Sequence, residues 1–297
     1  MARSIRLVFS GGLGNQLFQY ALYLYLKKMN SDAVIIPDLR AYRYDAYHFG
    51  FEVQKLFNVD FAETISTIEN YRLKKNTKQS EIARMARILW LKICGYKTIY
   101  DSTINTPQIL DKVLSKYKRV VLAGFFQNPT FINEIATDLR KNFDSEVDLG
   151  EECRHILEQV NGRTTISLHI RRGDYLNIPA YNVFNGLDYY NRAIKYFKSV
   201  VESPLFMIFT NDPEWVANNL HIDADSIVVT CNKGSHSYRD LIMMSKCDHN
   251  IIANSSFSWW GAWLNPNPQK IVICPAEWFK GKKSSEVVPE SWIKLEN

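Results

Sequence analysis

The sequence predicts an α/β protein of two Rossmann-like domains facing a cleft, and three observations predict it. β-like and helical segments alternate along the chain, which argues for parallel sheets with helical crossovers. At 297 residues the chain is long enough for two domains of ordinary size. An acidic, glycine-bearing stretch from Asp144 to Glu152 supplies the connection between them. The halves are therefore 1–150 and 151–297, and two such sheets facing each other would bring their strand ends to a shared cleft.

The first strand is expected at Ile5-Arg6-Leu7-Val8-Phe9-Ser10, followed by a glycine turn, a helix from about Asn15 to Met29, and a second strand at Ala33-Val34-Ile35-Ile36-Pro37. Tyr42 to Phe61 is rich in aromatics without a clear period. Glu81 to Ile93 has apolar residues at helical spacing, and Arg119 to Ala123 reads as another strand. In the second half a helix ends near Asn161-Gly162. Strands are expected at Thr165 to His169, Leu205 to Phe209, Ser226 to Val229, Asn250 to Ala253 and Ile271 to Ile273, with helices between them. Within Thr210-Asn211-Asp212-Pro213-Glu214-Trp215, Asp212 can cap a helix whose first residue is Pro213.

Composition is that of a folded soluble protein, generously supplied with Trp, Tyr and Phe. A formal charge of +5 favours anionic ligands or a loose contact with an acidic membrane surface. It is too weak to argue for nucleic acid. The densest basic run, Arg72 to Lys78, reads as a solvated loop. Cys94, Cys153, Cys231, Cys247 and Cys274 are odd in number, widely spaced and mostly among apolar residues, so reduced thiols are expected rather than disulfides. No pair has zinc-ligand spacing, which argues against a metal centre. The sequence carries no signal-peptide pattern and no long uncharged apolar segment; a cytoplasmic protein, at most peripheral at the inner membrane, is expected.

The richest stretch is Leu168-His169-Ile170-Arg171-Arg172-Gly173-Asp174-Tyr175, where a strand delivers two arginines and an aspartate into a glycine turn. Guanidinium groups meet phosphate oxygens bidentately and stay charged, so the pair suits a diphosphate; a structural Arg-Asp pair is the alternative. The first turn, Ser10-Gly11-Gly12-Leu13-Gly14-Asn15-Gln16-Leu17, partly matches a dinucleotide fingerprint, with Leu17 where the third glycine belongs and Asp38 available for a ribose. A nicotinamide dehydrogenase is therefore a rival reading. Asn15-Gln16 places two amides at a helix N-terminus, where donors already favour an anion. In Asn254-Ser255-Ser256-Phe257-Ser258-Trp259-Trp260-Gly261-Ala262-Trp263, a strand end runs into serines that begin a helix. Phosphate binding and ordinary serine capping explain those hydroxyls about equally well, while Trp260 and Trp263 read as core.

Those three motifs, with Gly124-Phe125-Phe126-Gln127 and Phe209-Thr210-Asn211-Asp212, together resemble the α-1,2-fucosyltransferases. The resemblance runs in order from residue 11 to residue 263. It implies a glycosyltransferase B-type fold and inverting transfer of L-fucose from GDP-fucose to the 2-hydroxyl of a terminal β-galactose of a glycan or lipid-linked precursor, without an obligatory metal or other cofactor. Residues 1–150 would form the acceptor side and supply the glycine loop; 151–297 would bind GDP-fucose, with the last helix able to pack back on the first domain. By the same resemblance Arg171 contacts the β-phosphate, and Arg172 shares that contact or holds Asp174. Gly14 and Asn15 approach the donor from the other domain. Ser255, Ser256 and Phe257 line its phosphate and ribose, and Asp240 reads guanine.

The proton acceptor that inversion asks for has four candidates, Asp174, His169, Glu52 and His48. Asp174 could instead pair with an arginine, and a histidine on an apolar strand is more often core. Three readings remain: the fucosyltransferase, the NAD(P)-dependent dehydrogenase, and a nucleotide-sugar or glycan-binding protein without turnover.

Overall fold

The computed structural model describes residues 3–43, 48–59, 61, 85, 86, 88–104, 106–143, 146–173, 175, 178–181, 183, 184 and 186–297. The chain divides into two compact units, Met1–Asp144 and Ser145–Asn297.

The first unit is built on a four-stranded parallel sheet of order β2-β1-β4-β3, comprising β1 (Arg3–Val8), β2 (Ala33–Asp38), β3 (Lys97–Tyr100) and β4 (Arg119–Ala123). The first strand begins two residues earlier than expected because its ladder with β2 starts at Arg3 opposite Ala33. Glycine turn and helix follow as read, the helix spanning Leu13–Met29 with Lys27 and Lys28 in its last turn, where cations complement the helix dipole. Its buried aromatic face meets Phe57 and Phe61: Tyr20 lies 5.3 Å from Phe57 and Tyr23 lies 5.2 Å from Phe61, centroid to centroid. Of the stretch expected to be helical from Glu81, residues 85, 86 and 88–93 are helical. Arg72 to Lys78 lies outside the described residues.

The second unit holds a six-stranded parallel sheet of order β12-β9-β8-β5-β6-β7. Its strands are β5 (Thr165–Ile170), β6 (Leu205–Thr210), β7 (Asp225–Val229), β8 (His249–Ile251), β9 (Val272–Pro275) and β12 (Ile293–Leu295). Between the last two, β10 (Glu277–Phe279) and β11 (Lys282–Lys283) make a small antiparallel pair. Every residue of β5 is buried, the pattern of a central parallel strand covered on both faces. The expected final helix is corrected here: Ile293 to Leu295 pair in parallel with Ile273 to Pro275, so the chain returns to its own sheet as an edge strand.

A buried amide network fixes the loops that follow this sheet. Asn250 donates to Ser167 Oγ at 2.7 Å and to the Met244 carbonyl at 2.8 Å, and its own oxygen accepts from Asn265 at 2.9 Å. These bonds tie β5, the helix Tyr238–Lys246 and the end of the helix Ser256–Leu264 to one residue. The two helices touch at Gly261, where an added Cβ would lie 2.8 Å from Met244 Cβ. Trp259 and Trp260 are fully buried and Trp263 nearly so, as expected of core.

Candidate functional site

In each sheet the strand order reverses beside the strand that carries a recognised motif. From β5 the chain runs outward through β6 and β7, then crosses back to β8 on the other side of β5. From β1 it goes to β2, and later reaches β4 on the opposite side. Loops after the two strands flanking such a reversal splay apart and leave a crevice at the carboxyl end of the sheet, where ligands of open α/β folds bind. In the second unit those loops are Arg171-Arg172-Gly173 after β5 and Asn254-Ser255-Ser256 after β8. In the first unit they are Ser10 to Asn15 after β1 and Gly124 to Gln127 after β4.

The two arginines have different surroundings. Arg172 is drawn aside: its Nε donates to Asp212 Oδ2 at 3.2 Å, and its guanidinium carbon sits 3.6 Å from the centroid of the Trp215 ring. Its backbone N–H donates to Asn211 Oδ1 at 2.9 Å. The other oxygen of Asp212 caps the helix Pro213–Asn219 by accepting from the Trp215 N–H. One carboxylate thus starts a helix and holds an arginine. Gly173 has φ +52°, and a Cβ there would lie 2.5 Å from Asn211 Nδ2, so the turn packs closely on the same loop. Arg171 is half-buried, with its guanidinium carbon 5.4 Å from the centroid of the Tyr175 ring, which in turn lies against Tyr181. Asp174 lies outside the described residues.

His169 is the penultimate residue of β5, buried, its ring 6.0 Å from that of Phe257. Burial, reinforced by the nearby Arg171 charge, pushes its pKa down to about 3. An imidazole so reluctant to take a proton is a weak general base, and its surroundings are those of a core histidine.

Ser255 precedes the helix Ser256–Leu264 but makes no side-chain capping bond, which removes the ordinary explanation for its hydroxyl. The N–H groups of the first turn, from Ser256 to Ser258, have no acceptor within the helix and line the carboxyl end of β8. The loop is held from below by Asn254, whose amide donates to the carbonyls of Tyr181 and Trp278, both at 3.0 Å.

Asp240 stands apart from this pair, in the first turn of Tyr238–Lys246 beyond the end of β7. It is half-buried, accepts from Asn232 Nδ2 at 2.7 Å, and burial pushes its carboxyl up to about 7 against the opposing pull of that bond. Cys153 and Cys231 bring their sulfurs to 3.1 Å beside Asn232, and all five cysteines are free thiols.

In the first unit Gly14 and Asn15 lie in the opening turn of Leu13–Met29, and Asn15 Oδ1 accepts from Gln127 at 2.8 Å, joining the two loops at the reversal. Gln19 joins them again, accepting from the Ser10 N–H and donating to the Gly124 carbonyl. Gln16 is consumed structurally by the carbonyls of Gly11 and Gly50 and the N–H of Glu52. Phe126 has φ +53°, an uncommon conformation for a bulky residue, and Asp101 braces the preceding turn by accepting from the Phe125 N–H at 2.8 Å. Of the remaining acid–base candidates, Glu52 is buried in an ion pair with Lys55, and His48 is exposed beside Gly12. Asp38 is fully buried and chelated by Arg40 through two bonds, at 2.9 and 2.7 Å, which leaves the dinucleotide reading without its ribose-binding acid. Among the described residues no group of three or more His, Cys, Asp or Glu could hold a metal ion.

The sequence reading did not anticipate the hold of Asp212 and Trp215 on Arg172, or the Gln19 and Gln127 bridges. The available signal was that Phe209 to Asp212 belongs to the ordered motif set although it carries no obvious chemistry.

Comparison with known proteins finds relatives that span nearly the whole chain. The chain is 33% identical over 308 residues to the O-antigen biosynthesis glycosyltransferase WbnK of Escherichia coli, covering 96% of this chain and 98% of that one. It is 30% identical over 302 residues to an α-1,2-colitosyltransferase of the same organism, covering 97% of each. In fold it is similar to the fucosyltransferase NodZ from Bradyrhizobium, with a TM-score of 0.52 over 88% of this chain and 91% of that one at 14% identity. The NodZ chain soaked with GDP-fucose gives the same TM-score over 90% of this chain and 94% of its own, at 13% identity. Residues 4–296 match the model of glycosyl transferase family 11, and the chain belongs to that family.

Proposed function

We propose that this chain transfers L-fucose from GDP-fucose to the 2-hydroxyl of a terminal β-galactose on a surface glycan of the O-antigen kind, with inversion and release of GDP. The observation that carries the reading is that Arg171 and the first turn of Ser256–Leu264 both lie in the segments that follow the neighbouring strands β5 and β8 at the reversal of the sheet. As the bond from the anomeric carbon to the β-phosphate oxygen breaks and a bond to the acceptor oxygen forms, negative charge accumulates on the diphosphate. A fixed guanidinium and unpaired backbone N–H groups stabilise that charge without a metal. Arg172, held by Asp212 and Trp215, keeps the turn in register. Ser255, Ser256 and Phe257 line the phosphate and ribose side, Asp240 takes guanine, and Gly14 and Asn15 meet the donor sugar. Asp174, two residues beyond Arg172, accepts the acceptor's proton. The reading carries a glycosyltransferase B-type organisation, with 1–150 on the acceptor side and 151–297 on the donor side. NodZ, whose fold is similar, was soaked with GDP-fucose, which supports the donor.

A second donor is favoured by one observation, the 30% identity to the colitosyltransferase over nearly the full length of both chains. Colitose is fucose without its 3-hydroxyl, so both sugars present the same leaving group to Arg171. The test is GDP release from GDP-fucose and from GDP-colitose with a β-galactoside acceptor, with and without EDTA, followed by linkage analysis. Acceptor-dependent release that survives EDTA and yields an α-1,2 linkage supports the reading. Binding of GDP-sugar without release favours the turnover-free alternative, and loss of release with EDTA removes metal independence.

A further inference from the structure

We propose that the helical residues 88–93, together with Met85, form a docking surface for a bilayer rich in anionic phospholipid. Five large apolar side chains are exposed within nine residues: Met85, Ile88, Leu89, Trp90 and Ile93, the last 76% exposed. They make up five of the twelve exposed large apolar side chains among the described residues, so they form a patch rather than background. At 100° per residue, Met85, Ile88, Leu89 and Ile93 share one side of the helix with Trp90 at its margin, while Leu91 turns inward and is buried. The segment is fastened to the sheet of its own unit. Arg119, at the start of β4, donates to the Cys94 carbonyl, and the hydroxyls of Tyr96 and Ser4 lie 2.8 Å apart.

Charge selects the occupant. Between residues 72 and 97 the sequence holds eight Lys or Arg against the single acid Glu81, a formal +7 where the whole chain carries +5. The rest of the sequence is therefore net acidic, and of these cations Lys92, on the helix itself, and Lys97, just after it, are exposed among the described residues. Exposed Trp, Leu and Ile in a stretch of sequence rich in lysine and arginine suit the boundary between headgroups and acyl chains, where apolar side chains insert and cations meet phosphate. A second copy of the chain would place two such segments against each other, and like charge opposes that. Among the described residues no helix is long and apolar enough to cross a membrane, and the contact proposed is one with the surface of the bilayer. Combined with the proposed function, such a surface would hold the enzyme where lipid-linked glycans reside; the docking itself does not depend on that reading.

The experiment is co-sedimentation of the full chain with vesicles of phosphatidylglycerol and phosphatidylcholine, and with phosphatidylcholine alone, for the wild type and for Leu89→Glu/Ile93→Glu. The expected result is binding to the anionic vesicles only, weakened by salt, and weaker by at least about tenfold in the double variant. Its thermal midpoint and its GDP release with a soluble acceptor should be unchanged. Wild type that stays in the supernatant with anionic vesicles, or a double variant that binds as tightly, overturns the proposal. Failure to bind together with a dimer that the double variant dissociates would assign the patch to self-association and overturn it equally. Absence of GDP release would count against the transferase reading alone.

Discussion

Replacing Arg172 by alanine should cost stability, whereas replacing Arg171 should cost chemistry. Arg172 and Asp212 have side-chain exposures of 22% and 34%, so their pair is worth roughly 0.2–1 kcal/mol. The guanidinium stacked 3.6 Å over Trp215 adds roughly 0.5–2 kcal/mol. Loss of both gives a destabilisation of about 0.7–3 kcal/mol and, for a unit of this size, a midpoint lower by roughly 1–12 °C. Asp212→Asn should recover the helix cap and lose only the charged pair, while Asp212→Ala loses the cap as well, about 1 kcal/mol more. Arg171→Ala gives up the contact with Tyr175, roughly 0.5–1 kcal/mol, and should lower turnover by about 10²–10³. The assay is differential scanning fluorimetry alongside GDP release for all four variants, with the double-mutant cycle of Arg172 and Asp212 isolating their coupling. An Arg172→Ala protein as stable as wild type that loses turnover as fully as Arg171→Ala would refute the division of labour.

Other outcomes follow from individual residues. The Asp240 carboxyl, raised to about 7 in the folded chain, binds its proton more tightly than the unfolded chain does. Wild type should therefore lose stability relative to Asp240→Asn as pH rises from about 4 to 7, with no further divergence above, in denaturant titrations across that range. If that carboxylate reads guanine, GDP affinity should fall in wild type as pH drops below 7 and stay flat in Asp240→Asn, by calorimetry. Gly124 has φ +144° and an added Cβ would lie 2.3 Å from Asp101 Cγ; Gly124→Ala should cost about 2 kcal/mol or more, partly recovered by Asp101→Ala, in thermal melts. Alkylation under denaturing, non-reducing conditions should label all five cysteines by intact mass, and fewer labels would reveal a disulfide.

Strands β5 and β6 were legible because central parallel strands are continuous apolar runs, TISLHI and LFMIFT, that no helix period explains. The four-residue edge strand β3 was not, since Lys97-Thr98-Ile99-Tyr100 is too short and too exposed to stand out. The last strand was misread for a related reason: Trp292 to Leu295 gains its conformation from the ladder with β9, a partner about twenty residues away that local pattern does not reveal. Site chemistry behaved similarly. Arg171, Ser255 and Asn15 could be picked out as residue types suited to a diphosphate, whereas the fate of Arg172 depends on Asp212 and Trp215, about forty residues on. Asp240 is half-buried with a titration shifted toward neutrality, which no local sequence signal carries.

The central claim is that Arg171 stabilises the departing diphosphate. Its most direct measurement is acceptor-dependent GDP release by wild type and by Arg171→Ala, each first checked for an unchanged circular dichroism spectrum and a thermal midpoint well above the assay temperature. The account expects release in the wild type and a loss of at least about 100-fold in the variant, expressed in kcat more than in acceptor KM. A folded Arg171→Ala enzyme with near-normal turnover would contradict it.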